Sequence, residues 1–311
     1  MALLIDIGMR GWMEELDLAE EVRSHFPGAD IRTRANLGDP AQIRMLAVSS
    51  LAPDLPAQLP NLELVQKLGA GVETIVNHPA LPPHVRVARL KPVAPAHQIA
   101  EYCLAYTLRF QRNMAAHEAA QTRRAWEPIE PRFTPDTTVG VLGLGHIGGY
   151  TASLMHHVGF RVLGWARSAK SIDGVECRHG AKALALMLGE CDYVAAILPS
   201  TTATRGLFDA QLLNAMKPGS ILINAGRGDL IDEAALINCL DHGPLAGAVL
   251  DVLNTEPLPP ENRLWAHPGV TITPHVSGWH LGDALQDVAD NYRRLMNGTA
   301  LLHEVDRARG Y

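Results

Sequence analysis

The 311-residue sequence lacks the cysteine and histidine patterns that mark disulfide-rich and zinc-binding proteins. None of its four cysteines belongs to a CxxC pair, and its 14 histidines include no HExxH motif. The adjacent His156 and His157 would point in different directions on a helix. The cysteines are irregularly spaced: Cys103, Cys177, Cys191 and Cys239. We interpret them as free thiols of a cytoplasmic protein, and we predict no metal site.

Long apolar runs and an excess of positive charge are also missing. No apolar run approaches the ~20 residues that a membrane helix needs. The short apolar stretch at the start contains Asp6, which favours an opening strand over a signal peptide. The 27 Lys and Arg residues are outnumbered by 33 Asp and Glu residues, which argues against nucleic acid as a partner. The length and the 47% hydrophobic content are typical of a globular protein with two domains.

What the sequence does contain is a regular alternation of strand-like and helix-like segments. The predicted strands are residues 3–7, 43–49, 62–68, 85–88, 138–142, 161–165, 193–198, 220–224, 246–250 and 270–273. The predicted helices are residues 11–25, 97–121, 147–158, 181–188, 209–216, 232–240 and 281–296. Such alternation is typical of parallel sheets with helices on both faces. We predict an α/β fold with two doubly wound parallel-sheet domains, one flavodoxin-like and one Rossmann-like, and a cleft between them.

The order of these segments predicts a discontinuous first domain. The last helix, residues 281–296, follows the point at which the middle unit closes, and the simplest topology returns it to the N-terminal domain. We expect a substrate domain of residues 1–96 and 279–311 and a dinucleotide-binding domain of residues 97–278. The run 97–121 has helical spacing without Pro or Gly, which predicts one long helix that bridges the domains.

The strongest single motif is Gly143-Leu144-Gly145-His146-Ile147-Gly148, which follows a predicted strand and opens a predicted helix. In that context GxGxxG indicates a dinucleotide site, whereas alone it would be a weak signal. Gly143 permits the tight turn, Gly145 lets the backbone approach a pyrophosphate, and Gly148 lets helix and strand pack. His146 and Ile147 begin the helix, whose first N–H groups attract phosphate.

The end of the next strand indicates which dinucleotide is used. An NAD enzyme usually ends this strand with an acid that binds the ribose hydroxyls, but here the position is Ala166. Arg167 follows, with Ser168 and Lys170 close behind. An arginine binds a 2′-phosphate that an acid would repel. We therefore predict NADPH over NADH, the alternative being that the basic side chains are merely solvated.

Three polar residues follow predicted strand ends in the same unit. Arg227 follows residues 221–226, Glu256 stands before Pro257, and His275 follows Pro274. Each alone has an ordinary structural explanation, but successive strand ends of one doubly wound sheet face one crevice. His275 is suited to protonate a carbonyl oxygen, Glu256 to favour its imidazolium form, and Arg227 to hold a carboxylate or carbonyl oxygen.

These motifs together resemble the D-2-hydroxyacid dehydrogenases. The resemblance rests on the glycine fingerprint, Asn224-Ala225-Gly226-Arg227-Gly228, Glu256-Pro257, Pro274-His275 and Leu68-Gly69-Ala70-Gly71-Val72. It covers nearly the whole chain. The region 165–168 and the ending 305–311 are most similar to the glyoxylate/hydroxypyruvate reductase A branch.

The resemblance implies a homodimer that reduces a small 2-oxo acid to the D-2-hydroxy acid, with Arg227, Glu256 and His275 as catalytic residues. It also implies that backbone N–H groups around Ala70, Gly71 and Val72 bind the substrate carboxylate. The stretch Leu198, Pro199 and Ser200 would line the cofactor, together with Ala225 and Asp251. Trp126 matches a tryptophan near the active site of that branch, though it would equally suit a dimer interface. Trp279 stands where relatives have smaller side chains, and it would narrow the pocket or stack on an aromatic substrate.

Two alternatives remain open at this point. The first is another dehydrogenase of the same build, such as one acting on formate or phosphite. A formate enzyme would be expected to carry Gln at the position of Glu256, which disfavours that enzyme. A dinucleotide-sensing binding protein could keep the same three residues, although the sequence shows no appended interaction motif.

Overall fold

The computed structural model describes residues 1–8, 13–76, 78–90 and 93–307. The strands are β1 (Ala2–Asp6), β2 (Ile31–Thr33), β3 (Ile43–Val48), β4 (Leu64–Lys67), β5 (Arg86–Arg89), β6 (Thr138–Leu142), β7 (Arg161–Ala166), β8 (Glu176–His179), β9 (Tyr193–Ala196), β10 (Ser220–Asn224), β11 (Leu245–Leu250) and β12 (Val270–Ile272). The helices are α1 (Glu15–His25), α2 (Leu55–Gln58), α3 (Glu73–Val76), α4 (Val93–Gln111), α5 (Met114–Thr122), α6 (His146–Val158), α7 (Ala181–Leu188), α8 (Ala210–Asn214), α9 (Glu233–His242) and α10 (Leu285–Met296). Short 3-10 turns occur at Arg34–Asn36, Pro40–Gln42, Thr134–Asp136, Gly228–Leu230, Arg263–Ala266 and Gly282–Ala284.

The chain divides into two compact units. The first contains Met1–Ala94 and His280–Tyr311, and the second contains Pro95–Trp279. The roles predicted for them, substrate binding and dinucleotide binding, stay predictions.

The first unit is built on a five-stranded parallel sheet in the order β2-β1-β3-β4-β5. This is the flavodoxin-like order. Both faces are covered, because Leu3 and Ile5 of β1 enter one apolar cluster while Ala2 and Leu4 enter another. α10 packs on the same side as α1, with the buried residues Leu285, Val288, Ala289, Tyr292 and Leu295 at helical spacing.

The second unit is built on a seven-stranded parallel sheet in the order β12-β11-β10-β9-β6-β7-β8. This is the Rossmann order with one further strand: all strands are parallel, and the order in which they are added to the sheet reverses between β6 and β9. Two apolar clusters cover the two faces of the sheet. The predicted α/β class with two parallel-sheet units is confirmed, and the sheet order identifies the β6–β9 boundary as the place where such folds bind ligands.

The predicted single helix over residues 97–121 is wrong. The chain forms α4 and α5 instead, separated at Asn113, whose φ of 53° is left-handed. Asparagine tolerates this conformation better than most residues, so a helix can end there without Gly or Pro. The first predicted helix is observed only from Glu15, and residues 11 and 12 lie outside the described part of the chain.

Strands β2 and β8 were not predicted. β8 is an edge strand with the burial pattern of a half-exposed segment, so the hydrophobic alternation that predicts strands is missing. Its Arg178 pairs with Glu190 at 2.6 Å and with Glu176 at 2.5 Å, and Arg161 of β7 reaches the same two carboxylates. Ion pairs therefore take the place of apolar contacts on this strand.

Candidate active site

The glycine motif forms the turn between β6 and α6. Gly143 has a φ of 100°, and a Cβ there would overlap the carbonyl oxygen of Ile197. A Cβ on Gly148 would overlap the carbonyl oxygen of Gly143, so helix and strand can pack only around glycine. By contrast, a Cβ on Gly145 would meet nothing within 4 Å, which leaves its backbone open to a ligand. Gly145 is also the helix N-cap and has no side chain to bond the first amides, so this turn fits a pyrophosphate.

The end of β7 carries no carboxylate at the position that would face a ribose. Ala166 is buried, while Arg167, Ser168 and Lys170 are exposed just beyond it. His146, at the start of α6, is exposed as well, and Ile147 is half-buried. The residues present therefore suit a cofactor with an extra phosphate better than one with free ribose hydroxyls.

The segments after β9 and β10 pack closely together. A Cβ on Gly226 would lie 2.8 Å from the carbonyl oxygen of Leu198, and Ala225 donates its N–H to the carbonyl of Ala196 at 3.1 Å. Ser200 donates its hydroxyl to Asp229 at 2.5 Å, a partner that the sequence did not indicate. Pro199 beside it is exposed. The structure thus brings Leu198, Ser200 and Ala225 to the carboxyl ends of adjacent strands.

Arg227 is held by a buried asparagine at the end of β10. The side chain of Asn224 is fully buried, donates to the carbonyl of Arg227 at 2.9 Å and accepts from the N–H of Gly226 at 3.1 Å. The next residue, Gly228, is so close to the carbonyl oxygen of Leu253 that a Cβ would overlap it. These contacts fix the backbone on both sides of Arg227.

Glu256 and His275 form a hydrogen-bonded pair. Nδ1 of His275 lies 2.8 Å from Oε2 of Glu256, and the other oxygen, Oε1, accepts the N–H of Leu253 at 2.9 Å. Burial raises the pKa of Glu256, but the hydrogen bonds from His275 and Leu253 and the charges of His275 and Arg227 outweigh it, so its pKa lies below the usual value. The carboxylate is therefore charged at neutral pH and orients Nε2 of His275 away from itself.

A buried carboxylate, Asp251, holds the loop that carries His275. Asp251 is 1% exposed, and its side chain accepts from the hydroxyl of Thr273 at 2.6 Å and from the N–H groups of Val276 and Ser277 at 2.9 and 3.0 Å. Its backbone carbonyl accepts the N–H of His275 at 2.9 Å. His275 itself has a φ of 57°, a left-handed conformation that needs such support. Sequence reasoning placed Asp251 beside the cofactor, which stays a prediction, and missed its contacts with this loop.

Tyr102 of α4 extends this network. Its hydroxyl lies 2.7 Å from the hydroxyl of Thr273. Burial raises the pKa of Tyr102, so the phenol is neutral and can donate a hydrogen bond. No motif in the sequence indicates this residue, because its role depends on a contact with a residue 171 positions away.

In the first unit, residues 69–72 form a loop between β4 and α3, here called the 69–72 loop. The carbonyl of Gly69 accepts the N–H of Leu90 at 3.0 Å, and the carbonyl of Val72 accepts from Ile75 and Val76 at 2.9 Å each. Ala70 and Gly71 are half-buried, whereas Val72 is buried. The loop is therefore anchored at both ends by its carbonyl groups.

The two tryptophans with predicted substrate roles have different surroundings. Trp126 is 98% exposed in the segment that follows α5. Trp279 is partly buried at the end of the second unit, and its backbone N–H donates to the side-chain oxygen of Gln98 at 3.0 Å. Their contact with substrate stays a prediction.

The described residues contain neither of two further features, a metal-binding cluster and a membrane-spanning helix. No group of three or more His, Cys, Asp or Glu side chains among them could hold a metal ion. None of the helices formed by those residues is long and apolar enough to cross a membrane.

Residues 104–277 match the family model of the D-isomer specific 2-hydroxyacid dehydrogenase NAD-binding domain. The chain belongs to this family. It is 38% identical to glyoxylate/hydroxypyruvate reductase A of Serratia proteamaculans over 256 residues, which are 80% of this chain and 82% of the relative. The predicted resemblance is confirmed, and the protein is an NAD(P)-dependent oxidoreductase that acts on 2-hydroxy acids or 2-oxo acids.

Solved structures of this family match the fold of the chain over its whole length. A D-isomer specific 2-hydroxyacid dehydrogenase from Xanthobacter autotrophicus, in complex with NADPH and MES, has a TM-score of 0.92 and 37% identity, and the match covers 100% of this chain and 99% of that one. The NADPH-dependent glyoxylate/hydroxypyruvate reductase of Sinorhizobium meliloti, in complex with NADP and sulfate, has a TM-score of 0.90 and 33% identity with the same coverage.

Proposed function

We propose that this enzyme uses NADPH to reduce a small 2-oxo acid, such as glyoxylate or hydroxypyruvate, to the D-2-hydroxy acid. The observation that carries the proposal is the 2.8 Å hydrogen bond between His275 and Glu256 beside a backbone-locked Arg227. A charged carboxylate on Nδ1 keeps a proton donor available at Nε2, which a carbonyl needs when it accepts hydride.

Each residue of the set has a distinct task in this proposal. Bound NADPH would supply the hydride to the keto carbon of the substrate. His275 donates its Nε2 proton to the substrate oxygen, and Glu256 stabilises the imidazolium form beforehand. Arg227 holds the carboxylate or the carbonyl oxygen of the substrate, and the N–H groups around Ala70, Gly71 and Val72 bind the carboxylate.

The choice of NADPH rests on the end of β7. Buried Ala166 replaces the acid that would repel a 2′-phosphate, and Arg167 with Ser168 and Lys170 supplies donors just beyond it. The similar structures from Xanthobacter autotrophicus and Sinorhizobium meliloti are complexes with NADPH and NADP, respectively. We propose that the remaining predicted contacts, from Gly143, Gly145, His146, Ile147, Gly148, Leu198, Pro199, Ser200, Ala225 and Asp251, bind the same cofactor.

The predicted homodimer is part of the proposal. Trp126, Ile129 and Phe133 expose large apolar side chains within one short stretch, by 98%, 37% and 68%. Exposed apolar groups of this size are typical of contact surfaces between subunits. Sedimentation of the wild type and of Trp126→Ala tests this point, and a monomeric wild type would overturn it.

The decisive measurement is NADPH oxidation followed by absorbance, with glyoxylate, hydroxypyruvate and phenylglyoxylate in parallel and NADH as the second cofactor. We expect the two small acids to be reduced faster than phenylglyoxylate, and NADPH to be preferred. Preference for the aromatic acid would assign the specificity to Trp279. Tight NADPH binding without turnover of any acid would overturn the reductase proposal in favour of a dinucleotide-sensing role.

A further inference from the structure

Two cations lie side by side at the carboxyl edge of the five-stranded sheet. Lys67 ends β4 and Arg89 ends β5, and the two residues are paired in the register of these strands. Paired residues of neighbouring parallel strands are about 4.8 Å apart and direct their side chains to the same face. Both residues are half-buried.

Both cations reach the underside of the 69–72 loop. Nη1 of Arg89 donates to the carbonyl of Ala70 at 3.4 Å. Cε and Nζ of Lys67 each lie 3.7 Å from the position that a Cβ on Gly69 would occupy, and Nζ donates to the backbone carbonyl of Ser49. Two positive charges therefore lie next to the loop, Lys67 near Gly69 and Arg89 at the carbonyl of Ala70.

These contacts set the direction of the loop amides. The carbonyl of Gly69 is bound by the N–H of Leu90, and the carbonyl of Ala70 is bound by Arg89. In a planar trans peptide, the carbonyl and the following N–H point in opposite directions. The N–H of Ala70 therefore points away from Leu90, and the N–H of Gly71 points away from the guanidinium of Arg89.

We propose that Arg89 is a positioning residue for substrate binding, and that Lys67 assists it by charge. Arg89 fixes the Ala70–Gly71 peptide with its N–H outward, and the two cations beneath attract the negative charge that these amides hold. The inference rests on the proposed function, in which these amides bind the substrate carboxylate. It adds residues to that site that neither motif nor family match assigns.

The test compares Arg89→Gln with Arg89→Lys and with Arg86→Gln. Arg86 is the matched control, since it lies at the other end of the same strand and pairs with Glu304 at 2.6 Å. We expect Arg89→Gln to raise the KM for the 2-oxo acid about tenfold, or about 1.4 kcal/mol, with kcat and NADPH affinity within about twofold of wild type. Arg89→Lys, which keeps the positive charge, should have a KM close to that of the wild type, and Arg86→Gln should have no effect on KM.

A KM that stays unchanged in Arg89→Gln, or a fall in kcat at constant KM, would overturn the inference. If the Arg89 variants do not fold, Lys67→Gln carries the same expectation of a raised KM at constant kcat. If the wild type reduces none of the acids, the proposed function fails instead. The inference is then decided by calorimetry with oxamate and NADPH, where Arg89→Gln must bind oxamate more weakly than Arg86→Gln does.

Discussion

The carboxyl edges of the two sheets present different chemistry. The five-stranded sheet presents backbone N–H groups in the 69–72 loop, whose carbonyls are bound by Leu90 and Arg89. The seven-stranded sheet presents the polar side chains of Arg227, Glu256 and His275. Backbone groups bind an anion equally well in ground state and transition state, whereas a proton donor acts only when the carbonyl reacts. The comparison predicts that lesions at the first edge change KM and lesions at the second change kcat.

The largest effect is expected for His275→Asn. Asn is the replacement of choice because it tolerates the left-handed conformation of this position, so the variant should keep its backbone. Loss of the proposed proton donor should lower kcat by about 10³-fold. NADPH affinity should be nearly unchanged, as measured by fluorescence titration. Loss of turnover and cofactor binding together would count against the assigned role.

Gly148→Ala tests whether the glycine turn between β6 and α6 binds the cofactor through its backbone. The new Cβ would overlap the carbonyl oxygen of Gly143, so the turn must shift. Overpacking of this kind costs about 1–3 kcal/mol of folding free energy. The affinities for NADPH and NADH should fall together, and an effect on one cofactor alone would contradict the role of this turn in binding the shared pyrophosphate.

Asp251→Asn tests whether the buried carboxylate of Asp251 positions His275. The amide cannot accept all three hydrogen bonds that the carboxylate receives from Thr273, Val276 and Ser277. We expect the free energy of unfolding to fall by about 2 kcal/mol and kcat to fall by about 10²-fold as His275 is displaced. Tyr102→Phe, one step further along the network, is the milder companion variant. A kcat unchanged in Asp251→Asn would show that His275 is positioned without it.

Arg167→Ala separates the two cofactors. In the proposed complex, the variant would remove charge-assisted hydrogen bonds to the 2′-phosphate of NADPH, which are worth about 1.5–3 kcal/mol, whereas NADH has no such group. The dissociation constant for NADPH should rise at least about tenfold and that for NADH should not change. Equal effects on both cofactors would remove the argument for NADPH from this strand end.

The smallest effect is expected far from both edges, at the ion pair of Arg86 and Glu304. The hydrogen bond from Arg86 lowers the pKa of Glu304 below its usual value of 4.5 despite partial burial. The pair therefore stabilises the fold above that pH, and its contribution is lost as the pH falls through the lowered pKa. Arg86→Gln should lower the free energy of unfolding by less than about 1 kcal/mol at pH 7, since the pair is partly exposed. A deficit of the same size at pH 3 would contradict this linkage.

Sequence reasoning was most successful where one local pattern decides the structure. β6, β10 and α7 begin and end where predicted, because buried apolar runs and flanking glycines mark them. The helix boundary at Asn113 and strand β8 were missed, since a left-handed asparagine and an ion-paired edge strand leave no periodic signal.

The same distinction applies to the candidate site. Arg227, Glu256 and His275 were predicted because polar residues after buried strands are conspicuous. The residues that position this set, Tyr102 and Asp251, were not predicted in that role, because their hydrogen bonds join segments distant in sequence. Arg89 was not predicted either, because its partner is a backbone carbonyl, a group that every residue carries.

The charged strand β8 has a consequence for the behaviour of concentrated protein. A free sheet edge is a template for strand-by-strand self-association, which grows into filaments. Here the edge carries Glu176 and Arg178, which with Arg161 and Glu190 form a ladder of alternating charge. Hydrogen bonds from Arg178 lower the pKa of both Glu176 and Glu190, so the ladder keeps its charges in mild acid. The edge therefore resists templated polymerisation in acidified solutions as well as near neutrality.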